Sequence, residues 1–267
     1  MELSLYQIDA FAEQIFTGNP AAVCPLNNWL PDHILQAIAM ENNLSETAFI
    51  VSKNDDYEIR WFTPNEEVDL CGHATLASAY VVFRWLQPWN HKVTFHSKSG
   101  SLLVQHNQIN GEITLDFPAL PVSACDTPEK LVQGLGIAPR QILKGKSYLA
   151  IYESERQIRL LKPDFRLLSE NGFDRIIVTA PGDKVDFVSR FFIPGCTISE
   201  DPVTGSAHCI LMPYWSRRVN KNRLTARQIS KRGGNIICEI KNDRVYLTGK
   251  ALPYLQGTIT IPYQLLE

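Results

Sequence analysis

Two stretches of this chain can be laid over one another, and that repeat limits its fold more than any other feature. Residues 57–85 read "YEIRWFTPNEEVDLCGHATLASAYVVFRW" and residues 186–215 read "DFVSRFFIPGCTISEDPVTGSAHCILMPYW". R-W-F-T-P matches R-F-F-I-P, and Gly72-His73-Ala74 matches Gly205-Ser206-Ala207. Both copies run strand, proline loop, glycine, long apolar helix. Upstream, "ETAFIV" has its counterpart in "RIIVTA" at 175–180. A duplication of this kind predicts an α+β fold of two similar halves, each wrapping strands around one apolar helix, related by an approximate two-fold axis. The cleft between such halves is the natural ligand site. At 118–130, "PALPVSACDTPEK" interrupts all periodicity with three prolines, as an interdomain connection does. The expected halves are therefore 1–117 and 118–267, with the last strand able to pack back on the N-terminal half.

Local patterning fills in the first half. Pro31 followed by "DHILQAIAMENN" puts Ile34, Leu35, Ile38 and Ala39 on one helical face, closed by Asn42-Asn43. "ETAFIV", "YEIRWFT", "KVTFHS", "SLLVQH" and "EITLDF" read as strands separated by turn residues such as Ser99-Gly100 and Asn110-Gly111. With 45% hydrophobic and 20% charged residues in 267, the chain has material for sizeable cores.

Composition also narrows the function classes. The six cysteines show no C-x-x-C pair and the six histidines no H-x-H or H-E-x-x-H spacing, so reduced thiols and no metal are expected. The net charge of -2 gives no drive toward nucleic acid. Residues 217–232 are an exception, with seven basic residues and no acid; they read as a solvated surface loop or an anion-binding patch. The N-terminus has acids at Glu2, Asp9 and Glu13 where a signal peptide has a basic flank. No run reaches the roughly 18 apolar residues of a membrane helix. A cytoplasmic location is expected.

Chemistry gathers at the helix starts. If the halves are two-fold related, Gly72 and Gly205 open equivalent helices whose amino ends carry unpaired N–H groups and partial positive charge, suited to a carboxylate. Equally, Thr204 and Ser206 read as helix caps. His73 follows one glycine, Asp201-Pro202 precedes the other, and Glu46 lies where a loop enters an apolar strand. Each also has an ordinary reading: a hydrogen-bonded imidazole, a turn aspartate and a solvated strand-end acid. Cys71 reads as a small buried hydrophobe.

"YQIDAFAEQIFTGNPAAVC", "NLSETAFIV", "RWFTPNEEVDLCGHATLASA", "RFFIP" and "EDPVTGSAH" resemble, in order and spacing, the hallmark segments of the PhzF phenazine-biosynthesis family, of diaminopimelate epimerase-like fold. The resemblance runs from residue 5 to about 260. It implies two pseudo-symmetric halves, each a curved, mostly antiparallel sheet around a central helix, commonly a homodimer, and isomerase chemistry without a cofactor. It also implies that Glu46 is the acid/base, that His73 and Asp201 belong to the active site, and that Ser206 contacts substrate beside Gly72 and Gly205. Related racemases use one cysteine from each half. Cys71 occupies the first place, but Pro202 stands about where the second would be.

The expected function is thus an isomerase of a small carboxylate-bearing substrate. In it Glu46 takes a proton from one carbon and returns it to another on the same face, while His73 and Asp201 orient the substrate's polar groups. Thr204 and the helix ends hold its carboxylate. A glutamate at its ordinary value of about 4.3 is a weak base at neutral pH, so the role calls for an enclosed apolar setting; Phe49 and Trp61 are the expected neighbours. Three alternatives stand beside this reading: a protein that binds a small carboxylate without turnover, a racemase or epimerase, and a hydrolase using Ser206 or Cys71. The last lacks a G-x-S-x-G elbow.

Overall fold

The computed structural model describes residues 1–262 and 264. The chain divides into two compact units. The first holds Met1–Asp116 and resumes at Thr248; the second is Phe117–Leu247. The segment from Thr248 lies with the first unit, the packing-back of the last strand that the expected division at 117/118 allowed for.

In the first unit, β1 (Glu2–Ala10) pairs antiparallel with the chain's last strand (Ala251–Thr260) and with β2 (Asn19–Leu26). β2 runs parallel to β3 (Glu46–Lys53), and β3 antiparallel to β4 (Asp56–Phe62). β4 then pairs antiparallel with the two-residue β5 (Glu67–Val68) and parallel with β6 (Lys92–Ser97). β6 and β7 (Gly100–Asn107), and β7 and β8 (Glu112–Pro118), are antiparallel. Helix α1 (Asp32–Asn42) buries Ile34, Leu35, Ile38 and Ala39, as its spacing predicts, and ends at Asn43 in the left-handed conformation. These side chains form one core with Cys24, Phe49, Val51 and Phe62.

Helix α2 (Gly72–Val81) is buried almost all round, as a central helix must be. Its small residues let strands approach it. The hydroxyls of Thr75 and Ser78 are bonded to the carbonyls of Cys71 and Ala74, one turn back, so burial leaves neither unpaired.

The second unit repeats this order. β9 (Ser123–Ala124) pairs with β10 (Gln141–Lys144), and β10 antiparallel with β11 (Tyr148–Ile151). Helix α3 (Glu129–Leu135) lies between β9 and β10 in the chain, and α4 (Glu155–Leu160) and α5 (Phe165–Glu170) stand where the first unit has α1. β11 runs parallel to β12 (Ile176–Pro181), and β12 antiparallel to β13 (Phe187–Phe192). β13 pairs antiparallel with β14 (Glu200–Asp201) and parallel with β15 (Arg223–Gln228), which is antiparallel to β16 (Gly234–Lys241). Helix α6 (Gly205–Val219) follows β14 as α2 follows β5.

A shared ion pair fixes the common element. Arg60 grips Glu67 through Nε and Nη2 at 2.7 and 2.8 Å, and Arg190 grips Glu200 through the same atoms at the same distances. Each guanidinium lies over the phenylalanine two residues on, Phe62 at 5.1 Å and Phe192 at 4.8 Å. Burial of the fork costs desolvation, which two parallel charge-assisted hydrogen bonds offset. Each glutamate precedes a helix-start glycine by five residues, so the fork sets where the helix begins. Arg190 Nη1 also donates to the carbonyls of Ile158 and Leu161 at the end of α4.

The basic run is not a loop: residues 217–219 end α6 and 223–228 form β15. Lys221 pairs with Asp186 at 2.9 Å.

Arg190→Lys keeps the charge and loses the planar fork, and should cost about 1–3 kcal/mol. Urea unfolding of both proteins measures this; an unchanged midpoint contradicts a structural role for the fork.

Candidate functional site

In the first unit, a left-handed turn and two strand starts build a buried polar cluster. Gly18 has φ +72°, and a Cβ there would lie 2.3 Å from the Ala10 carbonyl oxygen, so only glycine fits. The next residue, Asn19, opens β2 and is fully buried; its Nδ2 lies 3.1 Å from His73 Nδ1. Glu46 opens β3, next to β2 in the parallel pair. Strand alternation puts Glu46, Ala48 and Ile50 on the face opposite Phe49 and Val51, whose side chains join the α1 core. Trp61, opposite Ala48, shares the Glu46 face. Of the two expected apolar neighbours, only Trp61 is on the correct side.

His73 is the second residue of α2, and its ring bridges the cluster. Nε2 lies 3.1 Å from Glu46 Oε2, with side chains only 5% and 18% exposed. The two atoms are close but not aligned: among the described residues neither has a hydrogen-bond partner, and both are buried. Nδ1 faces Cys71 Sγ at 3.5 Å as well as Asn19. Burial alone would pull the His73 imidazolium down. The Cys71 sulfur and the Glu46 carboxylate outweigh it and hold the group well above 6.5. Burial, and then Glu46, push the Cys71 thiol up to about 11. The sulfur is therefore a protonated thiol at neutral pH.

Glu46, Cys71 and His73 each bring a ligand atom within 4.8 Å of the others. The ring, however, turns one nitrogen to the thiol and the other to the carboxylate.

The second unit carries its own cluster at the start of α6. Asp201, on β14, is buried, and its Oδ2 accepts a hydrogen bond from Thr204 Oγ1. Thr204 occupies the cap position, yet its side chain caps nothing; the expected alternative that it serves as a helix cap fails because its hydroxyl is turned onto Asp201. Gly205 is buried and Ser206 is exposed. His208 Nδ1 lies 2.7 Å from the Thr204 carbonyl. A carbonyl only accepts, so Nδ1 carries the proton, and burial lowers the group to about 4. Fully buried Gln228, at the end of β15, binds Thr204 and Asp201 with its side-chain amide.

Register from the fork shows how the clusters correspond. Thr47 faces Phe62 as Ile176 faces Phe192, so the counterpart of Glu46 is Arg175. Counting from Glu67 and Glu200 to the helix starts, Cys71 matches Thr204, His73 matches Ser206, and Asp201 matches Val68. Within the repeat, Thr204 and not Pro202 stands in the place of a second cysteine. Asn19 and Gln228 are the residues that sequence reasoning missed. Asn19 directly after an obligatory glycine was the available signal; nothing local marked Gln228.

Residues 8–257 match the sequence pattern of the phenazine biosynthesis-like PhzC–PhzF family. A Pseudomonas aeruginosa protein named an uncharacterized isomerase is 48% identical over 259 residues, covering 97% of this chain and 99% of its own. The crystal structure of an Enterococcus faecalis PhzF-family protein superposes with a TM-score of 0.93 at 43% identity, covering 98% of this chain and all of that one. A hydroxyproline epimerase from Agrobacterium vitis, 11% identical, shares the fold with a TM-score of 0.63 over 97% of this chain and 91% of its own.

The raised His73 value fixes the sign of a pH effect. The folded protein holds this proton more tightly than the unfolded chain, so the contribution is complete below about 6.5 and fades as pH rises through the folded value. The stability advantage of wild type over His73→Asn should therefore shrink between pH 6 and 10 in denaturant unfolding; an advantage that grows with pH would reverse the assignment.

Proposed function

The chain belongs to the PhzF phenazine biosynthesis-like family, and from that premise we propose that it is a cofactor-independent isomerase of a small carboxylate-bearing substrate, with Glu46 moving a proton between carbons. The observation that carries this is the pair of buried, unsatisfied atoms, Glu46 Oε2 and His73 Nε2, 3.1 Å apart. The contact is misaligned, so neither atom's hydrogen-bonding capacity is used by the other, and a substrate group that reaches the cluster can engage either.

The steps balance on these groups. Glu46, ionised beside the His73 imidazolium, takes a proton from an activated carbon, and the electron pair delocalises into the substrate's conjugated system. The same carboxyl then returns the proton to a different carbon on the same face. His73 donates from Nε2 toward the developing negative charge. Asp201, Thr204, Ser206 and the backbone at Gly72 and Gly205 take the substrate's polar groups.

Two observations favour this over a racemase. Two-base chemistry of the paired-cysteine kind needs a second thiol at the symmetry-related place, but Thr204 stands at the counterpart of Cys71 and Arg175 at that of Glu46. The Cys71 thiol is held protonated well above neutral pH, the opposite of an activated nucleophile.

Incubation with cyclic and unsaturated amino and hydroxy acids in heavy water tests the reading. Wild type should place deuterium on carbon, and Glu46→Gln should lose at least about 100-fold in rate while still binding. Exchange by Glu46→Gln at the wild-type rate would defeat the proposal. Saturable binding with no exchange by wild type would favour a protein that binds without turnover.

A further inference from the structure

The two units also share a strap that differs in one respect. Ser99 Oγ donates to the Asp69 carbonyl at 2.8 Å, and Ser230 Oγ donates to the Pro202 carbonyl at 2.7 Å. The fork register makes Asp69 the counterpart of Pro202, and the parallel pairings Glu58 with His96 and Ser189 with Gln228 make Ser99 the counterpart of Ser230. One serine thus holds the loop before the helix in both halves, and this much the fold requires.

Gln228 has no such counterpart. Its place in the first unit is taken by Ser97, whose hydroxyl bonds the Gly100 carbonyl within its own turn. In the second unit the Gln228 Oε1 accepts from Thr204 N at 2.9 Å, while Nε2 donates to the Asp201 carbonyl at 2.7 Å and to Thr204 Oγ1 at 3.1 Å. The amide cannot be reversed, because its NH2 would then face the Thr204 N–H. A hydroxyl has one proton. Since Thr204 Oγ1 receives a hydrogen from Gln228, its own proton points to Asp201 Oδ2. The order of donation runs one way, from Gln228 to Thr204 to Asp201, and ends on a carboxylate.

We propose that Gln228 is a positioning residue which, through the Thr204 hydroxyl, fixes the Asp201 carboxylate in one orientation. If its task were only to support the loop, the first unit would need it equally, and there the serine strap suffices. The extra amide occurs in the half whose loop carries Asp201 where the first unit has Val68. Its relevance to catalysis rests on the isomerase reading; its effect on Asp201 does not.

The test follows the carboxyl carbon of Asp201 by 13C NMR through a pH titration, the signal being assigned by its loss in Asp201→Asn. Thr204→Val and Gln228→Leu each remove a donation step, and should raise the proton affinity of Asp201 by about tenfold. Thr204→Ser keeps the hydroxyl and should restore the wild-type titration. An unchanged titration in folded Thr204→Val overturns the proposal, as does an equal shift in Thr204→Ser, which would mark simple loosening of the loop. Should Gln228→Leu fail to fold, the threonine pair still decides. In the heavy-water assay, Gln228→Leu should lower the exchange rate more than ligand affinity; loss of affinity alone would also overturn a positioning role. Normal exchange by Glu46→Gln sinks the isomerase reading yet leaves the Asp201 titration result standing.

Discussion

A bidentate arginine–glutamate fork stacked on phenylalanine is the constraint on which both halves depend. It ties the end of a long strand to a two-residue strand, and five residues later a helix must begin at a glycine. A flexible loop at this point would smear the position of every group on the helix's first turn. A planar guanidinium with two parallel hydrogen bonds and an aromatic face beneath it restricts both distance and angle. Neighbouring elements attach to the same group: Arg60 reaches Asp32 in the first turn of α1, and Arg190 reaches the last carbonyls of α4. The helix start thus becomes a rigid platform, which precise proton chemistry requires.

On this repeated frame the chemical residues have diverged. Fork, phenylalanine, serine strap and helix-start glycine recur, while Glu46 faces Arg175 in the correspondence, Cys71 faces Thr204, and Gln228 faces Ser97. Residues that satisfy the backbone are constrained alike in both copies because the backbone problem is the same. Glu46 and Cys71 hold no backbone group common to both copies, so their places are free to differ; the Gln228 amide, which pairs the Thr204 N–H and the Asp201 carbonyl, adds its side-chain contact on top of a backbone one. The asymmetry therefore separates scaffold from chemistry within one chain.

Much of the scaffold could be read from the residues, because its causes are local. Period-two and period-3.6 patterns placed α1, β3, β4, β6, β7 and β8, and the matched R-x-F-x-P segments exposed the repeat. Glu46, His73 and Asp201 drew attention as ionisable residues at the edges of apolar segments. Asn19 and Gln228 did not, because their partners are distant in sequence: parallel strands β2 and β3 bring Asn19 near His73's helix, and β13 with β15 brings Gln228 to Thr204. Phe49 lies away from Glu46 for another reason: strand alternation puts it on the opposite face, and hydrophobicity alone does not tell one face of a buried strand from the other. Nor does the basic run at 217–232 mark a loop, since positive charge at a helix end and along an exposed strand face says nothing against regular structure.

The buried imidazolium gives a single carboxylate a means of doing what a lone acid does poorly. At rest the His73 ring lies against the Glu46 carboxylate, Nε2 to Oε2 at 3.1 Å. When, in the proposed reaction, Glu46 has taken the proton, it is neutral and the negative charge has moved onto the substrate. The cation then loses its internal partner at the moment a new anion forms beside it. Total charge in the enclosure is unchanged, so little solvent or protein dipole need reorganise, and the attraction that favoured the base is transferred to the intermediate. An interaction of that kind strengthens along the reaction coordinate, which is the condition for it to raise a rate and not merely tighten binding. It also gives a reason for the misaligned 3.1 Å contact. A perfect Glu46–His73 hydrogen bond would stabilise the resting pair most, and would have to be broken before either atom could turn to substrate.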